Sequence, residues 1–138
     1  MTRFPSTTRT AQDAAHEIGC TVGEIVKSLV FLVDDLAVVV LCSGADRVDE
    51  TKLKSALGAS TARRATAVEV KNATGYAIGG VPPFAHDAAL RVLVDDGLLE
   101  FATVWAAAGL PDAVFRIAPA ELVRLSQGTV ADVAQDAR

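Results

Sequence analysis

Apolar positions along the chain alternate between helical spacing and strand-like runs, and the boundaries are marked by capping residues and glycines. Ala11, Ala14, Ala15 and Ile18 form a helical stripe; Thr10 and Asp13 mark its start and Gly19 its end. Thr21-Val22-Gly23-Glu24 has the capping-box pattern of a single turn. Residues 25–33 are β-branched and apolar, residues 36–42 are apolar throughout, and Asp34-Asp35 separates them. This predicts an antiparallel hairpin whose second strand is central and covered on both faces. Residues 49–58 read as a helix with an acidic start, a basic middle and a glycine stop. A second capping box at Thr66–Glu69 opens a short helix that ends before Gly75. Three more strands are expected at 89–94, 101–108 and 113–117, the first closed by Asp95-Asp96-Gly97. Pro119 then begins a helix through Leu125, with Gly128 as its stop. Strands and short helices intermingle without strict βαβ alternation. The expected class is α+β, one domain over 1–138, with a mixed, strongly curved, barrel-like sheet and short helices around it.

Between the third helix and the next strand lies Gly75-Tyr76-Ala77-Ile78-Gly79-Gly80-Val81-Pro82-Pro83-Phe84-Ala85-His86-Asp87. Its glycines and prolines exclude a continuing helix or a central strand. Gly79-Gly80 permits close approach to the main chain, and Pro82 pushes Val81 toward an extended conformation. Two readings stand side by side: a rigid loop whose amides hold an acyl or phosphate group, or a tight structural turn. Lys27 is the other anomaly, a cation inside an otherwise apolar strand. It either guards an exposed strand edge or forms the cationic floor of a pocket, because a buried unpaired ammonium is costly.

Composition narrows the functional classes. The 138 residues are 51% hydrophobic with mean hydropathy +0.33, which excludes general disorder. Aromatics are only 5%, so Val, Leu, Ile and Ala must build the core. No apolar run approaches the roughly 20 residues of a membrane span, and residues 1–5 lack a signal-peptide apolar region. Cys20 and Cys42 have no neighbour at metal-ligand spacing. Free thiols, no metal and a cytoplasmic location are therefore expected. The net charge of −4 argues against strong non-specific nucleic-acid binding. Lys52, Lys54, Arg63, Arg64 and Lys71 crowd one third of the chain, and a solvated helix face explains them better than a dedicated patch.

The segment Glu24-Ile25-Val26-Lys27-Ser28-Leu29-Val30-Phe31, then Asp46-Arg47-Val48-Asp49, then Gly79-Gly80-Val81-Pro82-Pro83, resembles the YbaK/prolyl-tRNA synthetase editing-domain family. Lys27 matches the family lysine, and Gly79 and Pro83 match its Gly-x-x-x-Pro loop. The resemblance runs from about Thr8 to Leu125. It implies an aminoacyl-tRNA deacylase acting in trans on the ester between a wrong amino acid and the terminal adenosine, without a cofactor. Its partners would be the acceptor end of mischarged tRNA and an aminoacyl-tRNA synthetase. Lys27 and Gly79 would be catalytic: the lysine holds the terminal phosphate, loop amides hold the aminoacyl carbonyl, and the substrate itself assists attack. Ser28, Gly80, Val81, Pro82, Pro83, Phe84, His86, Trp105 and Ala107 would bind substrate. His86 also reads as a surface or satisfied histidine.

Two departures from the resemblance stand out: Pro82 stands where many relatives have Ser or Thr, and the helix and strand that relatives usually carry before the segment matching Thr8 are expected to be largely absent. A non-catalytic module that binds an aminoacyl-adenosine-like end or a synthetase is the rival reading. A Schiff-base enzyme using Lys27 lacks an acid–base partner. The presumed pocket walls are apolar, which favours a small amino acid such as alanine, with serine a near competitor.

Overall fold

The structure, a computed structural model, describes residues 2–3, 10–84, 86, 90–109 and 113–136. Ala85, Asp87 and Ala89 lie outside them, as does the region around Thr8. The described residues form a single α+β domain with a five-stranded mixed sheet, a three-stranded sheet and four short α-helices. The large sheet has the order β4-β2-β3-β5-β8: β4 (Ala62–Arg64), β2 (Val26–Val33), β3 (Leu36–Ser43), β5 (Arg91–Asp95) and β8 (Thr129–Ala131). β2 pairs antiparallel with β3 and β4, whereas β3–β5 and β5–β8 are parallel. The small antiparallel sheet is β1 (Thr2–Arg3), β7 (Ala113–Ile117) and β6 (Val104–Ala107), in that order.

The hairpin forms as expected, with Val26 opposite Ser43 and Val33 opposite Leu36. Asp34 and Asp35 both take positive φ, 48° and 67°, the geometry of a turn whose twist matches its strands. Asp34 offsets that strain by accepting the Ser60 and Thr61 amides, which also holds its carboxyl below the usual range. β3 is the covered central strand, and Val39, Val40, Leu41 and Cys42 are fully buried. Its alternate residues feed two cores. Val39 and Leu41 face Val26, Val30, Val70, Val81 and Leu122. Val38 and Val40 face Phe31, Leu53, Leu93 and Val133.

The helices are α1 (Ala11–Ile18), α2 (Glu50–Leu57), α3 (Ala67–Thr74) and α4 (Pro119–Ser126). Capping boxes at Thr10/Asp13 and Thr66/Glu69 begin α1 and α3, and left-handed glycines end α1, α2 and α3. At α4 the expected stop is displaced: Gln127, not Gly128, takes the left-handed conformation. Gly128 answers to packing, because a Cβ there would lie 2.7 Å from Val94. The strand expected over 101–108 is shorter, since residues 96–100 form a 3-10 turn and pairing starts at Val104. Asp95 anchors this region, accepting the amides of Gly97, Val133 and Ala134. β4 and β8 carry no sequence signal, being three residues each.

The barrel-like expectation is corrected: neither sheet curls into a closed structure. β2 pairs with β4 only over Phe31–Val33 and meets the small sheet at a single bridge, Ile25 to Trp105. Between these contacts one edge of β2 has no neighbouring strand among the described residues, so the sheet stays open there.

Candidate functional site

A cavity of about 280 Å³ fills this opening. One wall is Ile25 with the first part of β2, Val26 to Val30. Ala65, Val70 and the Ile78-Gly79 turn with Val81 close one side; Ala107, Val114 and the start of α1 (Thr10, Ala11, Ala14) close the other. Its position follows from strand register. Lys27 lies opposite Cys42 in the β2–β3 ladder, so in period-two alternation Val26, Ser28 and Val30 direct their backbone groups away from β3. The Val30 carbonyl accepts the Ala65 amide at 3.0 Å, where the main chain leading from β4 begins to cover the edge. The Ser28 main chain lies in the gap.

Lys27 lines this cavity, half-buried. Its ammonium donates to the Asp46 carbonyl. The loop carrying that carbonyl is fixed by Asp46 N–H to Ser43 O at 3.0 Å and by the Ser43 hydroxyl bonded to Gly23 O at 2.7 Å. An ammonium has three donors, so the tether orients it and leaves others for a ligand. Opposite Lys27, burial pushes the Cys42 thiol up to about 11 despite the nearby lysine, so Cys42 is a neutral thiol and not a counterion. Arg64 is a second cation on the cavity, stacked over the Phe31 ring at 5.7 Å. Sequence reasoning placed Arg64 only in the general basic cluster, because its facing depends on the β4 register.

Gly79 also lines the cavity, so the lysine and the glycine loop do come together. The Gly80 amide donates to Ala77 O at 2.9 Å, and Gly79 occupies the third position of that turn with φ +87°. This conformation favours glycine, although a Cβ there would meet nothing within 4 Å. The turn consumes the Gly80 N–H, and Gly79 is the member of the pair facing the cavity. Val81, almost fully buried, anchors the turn in the core and contributes to the cavity wall.

Ser28 and Ala107 line the cavity as well. The Ser28 Oγ is shielded from solvent and, among the described residues, is the buried side-chain oxygen or nitrogen without a hydrogen-bond partner. Among the described residues, the remaining candidates are not part of the cavity lining. Pro82 and Pro83 are buried, and His86 Nε2 donates to the Pro82 carbonyl at 2.7 Å, stapling the loop. Phe84 packs edge-on against Phe115 at 5.9 Å. Trp105 joins Ala14, Ala15, Ile25 and Val114 in a small core that backs the cavity.

A lysine, a left-handed glycine turn and an open strand edge meet around one small cavity, a combination chemically suited to a short ligand with an anionic part. The chain belongs to the aminoacyl-tRNA editing domain family, whose model matches residues 5–125. It is 34% identical to protein YwhH of Bacillus subtilis (strain 168) over 99% of this chain and 87% of that protein. It is 38% identical to proline–tRNA ligase of Ligilactobacillus salivarius (strain UCC118) over 63% of this chain, a segment amounting to 15% of the ligase. A crystal structure described as a candidate trans-editing enzyme for prolyl tRNA synthetase superposes with a TM-score of 0.92 at 44% identity, covering 98% of this chain and 85% of that one. Among the described residues no helix is long and apolar enough to cross a membrane.

Proposed function

We propose that this chain hydrolyses the ester between a wrongly attached small amino acid and the 3′-terminal adenosine of tRNA. The observation carrying this reading is that Lys27 and Gly79, far apart in sequence, line one cavity. The aminoacyl group enters the apolar part, between Val26, Val30, Val81 and Ala107. Its ester carbonyl lies against the Gly79 turn, where backbone donors stabilise the oxyanion that forms on attack. Lys27, oriented by the Asp46 carbonyl, meets the terminal phosphate, with Arg64 as a second cation at the same mouth. Water adds to the carbonyl carbon, the ester oxygen leaves as the ribose hydroxyl, and the products are free amino acid and intact tRNA. Substrate-assisted attack, through the neighbouring ribose hydroxyl, fits a cavity whose lining holds no Ser/His/Asp set among the described residues.

The partners in this reading are the acceptor end of mischarged tRNA and a synthetase that releases it, and the site of action is the cytoplasm. A panel of mischarged tRNAs tests it: deacylation above the protein-free rate supports the proposal, and binding without turnover would favour a non-catalytic module. Lys27→Ala should slow deacylation by more than tenfold, since a charge-assisted contact contributes about 1.5–3 kcal/mol. An unchanged rate in a folded Lys27→Ala protein would remove Lys27 from the mechanism.

A further inference from the structure

The editing reading gives Lys27 a task and leaves open what keeps its ammonium aimed. We infer that residues 132–136, anchored on the buried carboxylate of Asp95, position Lys27 by fixing the loop that tethers it. The consequence for turnover rests on the editing reading; the structural basis stands apart from it.

β8 runs beside β5 as far as the pair Asp95 and Ala131, and the chain then crosses to the loop between β3 and α2. Asp95 is only 1% exposed, and a carboxylate at that depth must be hydrogen-bonded. Its Oδ1 accepts the Val133 amide at 2.9 Å and the Ala134 amide at 3.1 Å, and its Oδ2 accepts the Gly97 amide at 3.1 Å. Val133 is itself fully buried, in the core with Leu53 and Leu93. From this anchor the segment grips the loop along its length. The Val133 carbonyl accepts the Asp49 amide at 2.7 Å, Ala134 bridges to Val48, and the Gln135 amide donates to the Arg47 carbonyl at 2.7 Å. Lys52, in the helix that Asp49 caps, adds ion pairs to Asp132 at 3.0 Å and Asp136 at 2.7 Å. The carbonyl that takes the Lys27 ammonium belongs to Asp46, the residue just before Arg47. A lysine side chain has many rotamers, and a fixed acceptor confines its ammonium to one place. Neither Asp95 nor any residue of 132–136 lines the cavity, so their route to a ligand there is the loop and Lys27.

Gln135→Pro removes the N–H that holds Arg47; Gln135→Ala keeps it and is the control, the Gln135 side chain being exposed. The first readout needs no turnover. An ammonium held by a carbonyl must leave it before reacting as a free amine, so limited acetylation with acetic anhydride reports the tether. Mass spectrometry gives the ratio of Lys27 to Lys54 labelling. Gln135→Pro should raise that ratio roughly twofold to tenfold, as expected for one hydrogen bond, and Gln135→Ala should leave it at the wild-type value. An unchanged ratio in folded Gln135→Pro, or an equal rise in Gln135→Ala, overturns the inference. The second readout is single-turnover deacylation of mischarged tRNA. Gln135→Pro should slow it by a similar factor when Lys27 is present and not at all in the Lys27→Ala background. Equal losses in both backgrounds would mark a general effect on the fold and overturn the positioning role. Absence of deacylation by the wild type overturns the editing reading, and the labelling ratio then decides the positioning of Lys27 by itself. Should Gln135→Pro fail to fold, Lys52→Met frees Asp132 and Asp136 and should raise the labelling ratio in the same direction; an unchanged ratio there overturns the inference.

Discussion

Lys27 and Ser28 are neighbours in sequence and serve opposite faces of one strand. Lys27 lies on the face of Leu29 and Phe31, where Arg64 also packs; Ser28 lies with Val26 and Val30. In a fully paired strand the two could not reach one ligand. At the open edge of β2 both line the same cavity. Ala107 lines the same cavity, and Ala107→Leu adds three carbons at its wall. We expect deacylation of the preferred ester to fall at least roughly tenfold, since a single methylene in an apolar pocket is worth about 1–3 kcal/mol. Stability should change little, because the added atoms grow into a cavity and not into packed core. Rate and melting temperature measured together check this, and an unaltered rate in the folded variant would place Ala107 outside the substrate path.

At the scale of elements, the junction of β4 and α3 frames the cavity's cationic side. Glu69 binds this junction in two directions, pairing with Arg63 at 2.8 Å and accepting the Thr66 amide in the capping box. Arg63 first and Thr66 second hold its carboxyl at about 2, against an ordinary 4.5. A depressed carboxylate pKa means stability present above the unfolded value and lost as pH falls through the folded one. The contribution of Glu69 is therefore complete above about 4.5 and disappears toward about 2. Glu69→Gln should flatten the acid limb of the melting-temperature profile in that window, with the protein less stable than wild type at neutral pH. Parallel acid limbs for the two proteins would show that the pair contributes nothing. The caps behind this junction were legible in sequence, because Thr66 and Glu69 stand at capping spacing. The pairing with Arg63 was not, since it requires β4 to exist and to lie beside β2.

Over the whole molecule, charge is spread rather than concentrated. Of the basic cluster between 52 and 71, Lys52 is held by Asp132 and Asp136, Arg63 by Glu69, and Lys71 caps α3 at the Gly75 carbonyl. Arg64 is the member that reaches the cavity. With a net charge of −4, uncharged tRNA should bind weakly, and more weakly still as salt is raised. In the proposed editing function, selectivity then comes from the aminoacyl end. Titration of uncharged tRNA at several ionic strengths checks this, and a tight, salt-insensitive complex would contradict it.

The sequence by itself determined the hairpin, the helix caps, the central buried strand and the two residues that do not fit a bland core, Lys27 and Gly79. These are local matters, governed by spacing, capping and the left-handed conformations glycine adopts. The tertiary structure decided where β2 loses its neighbours, and with that the position of the cavity, the approach of Arg64 and the isolation of the Ser28 hydroxyl. Among the described residues, it brought Lys27, Ser28, Gly79, Val81 and Ala107 to the cavity lining and left Pro82, Pro83, Phe84, His86 and Trp105 off it. Which strands pair, and over how many residues, depends on contacts between distant segments. For β4 and β8, three residues long each, no local pattern outweighs those contacts.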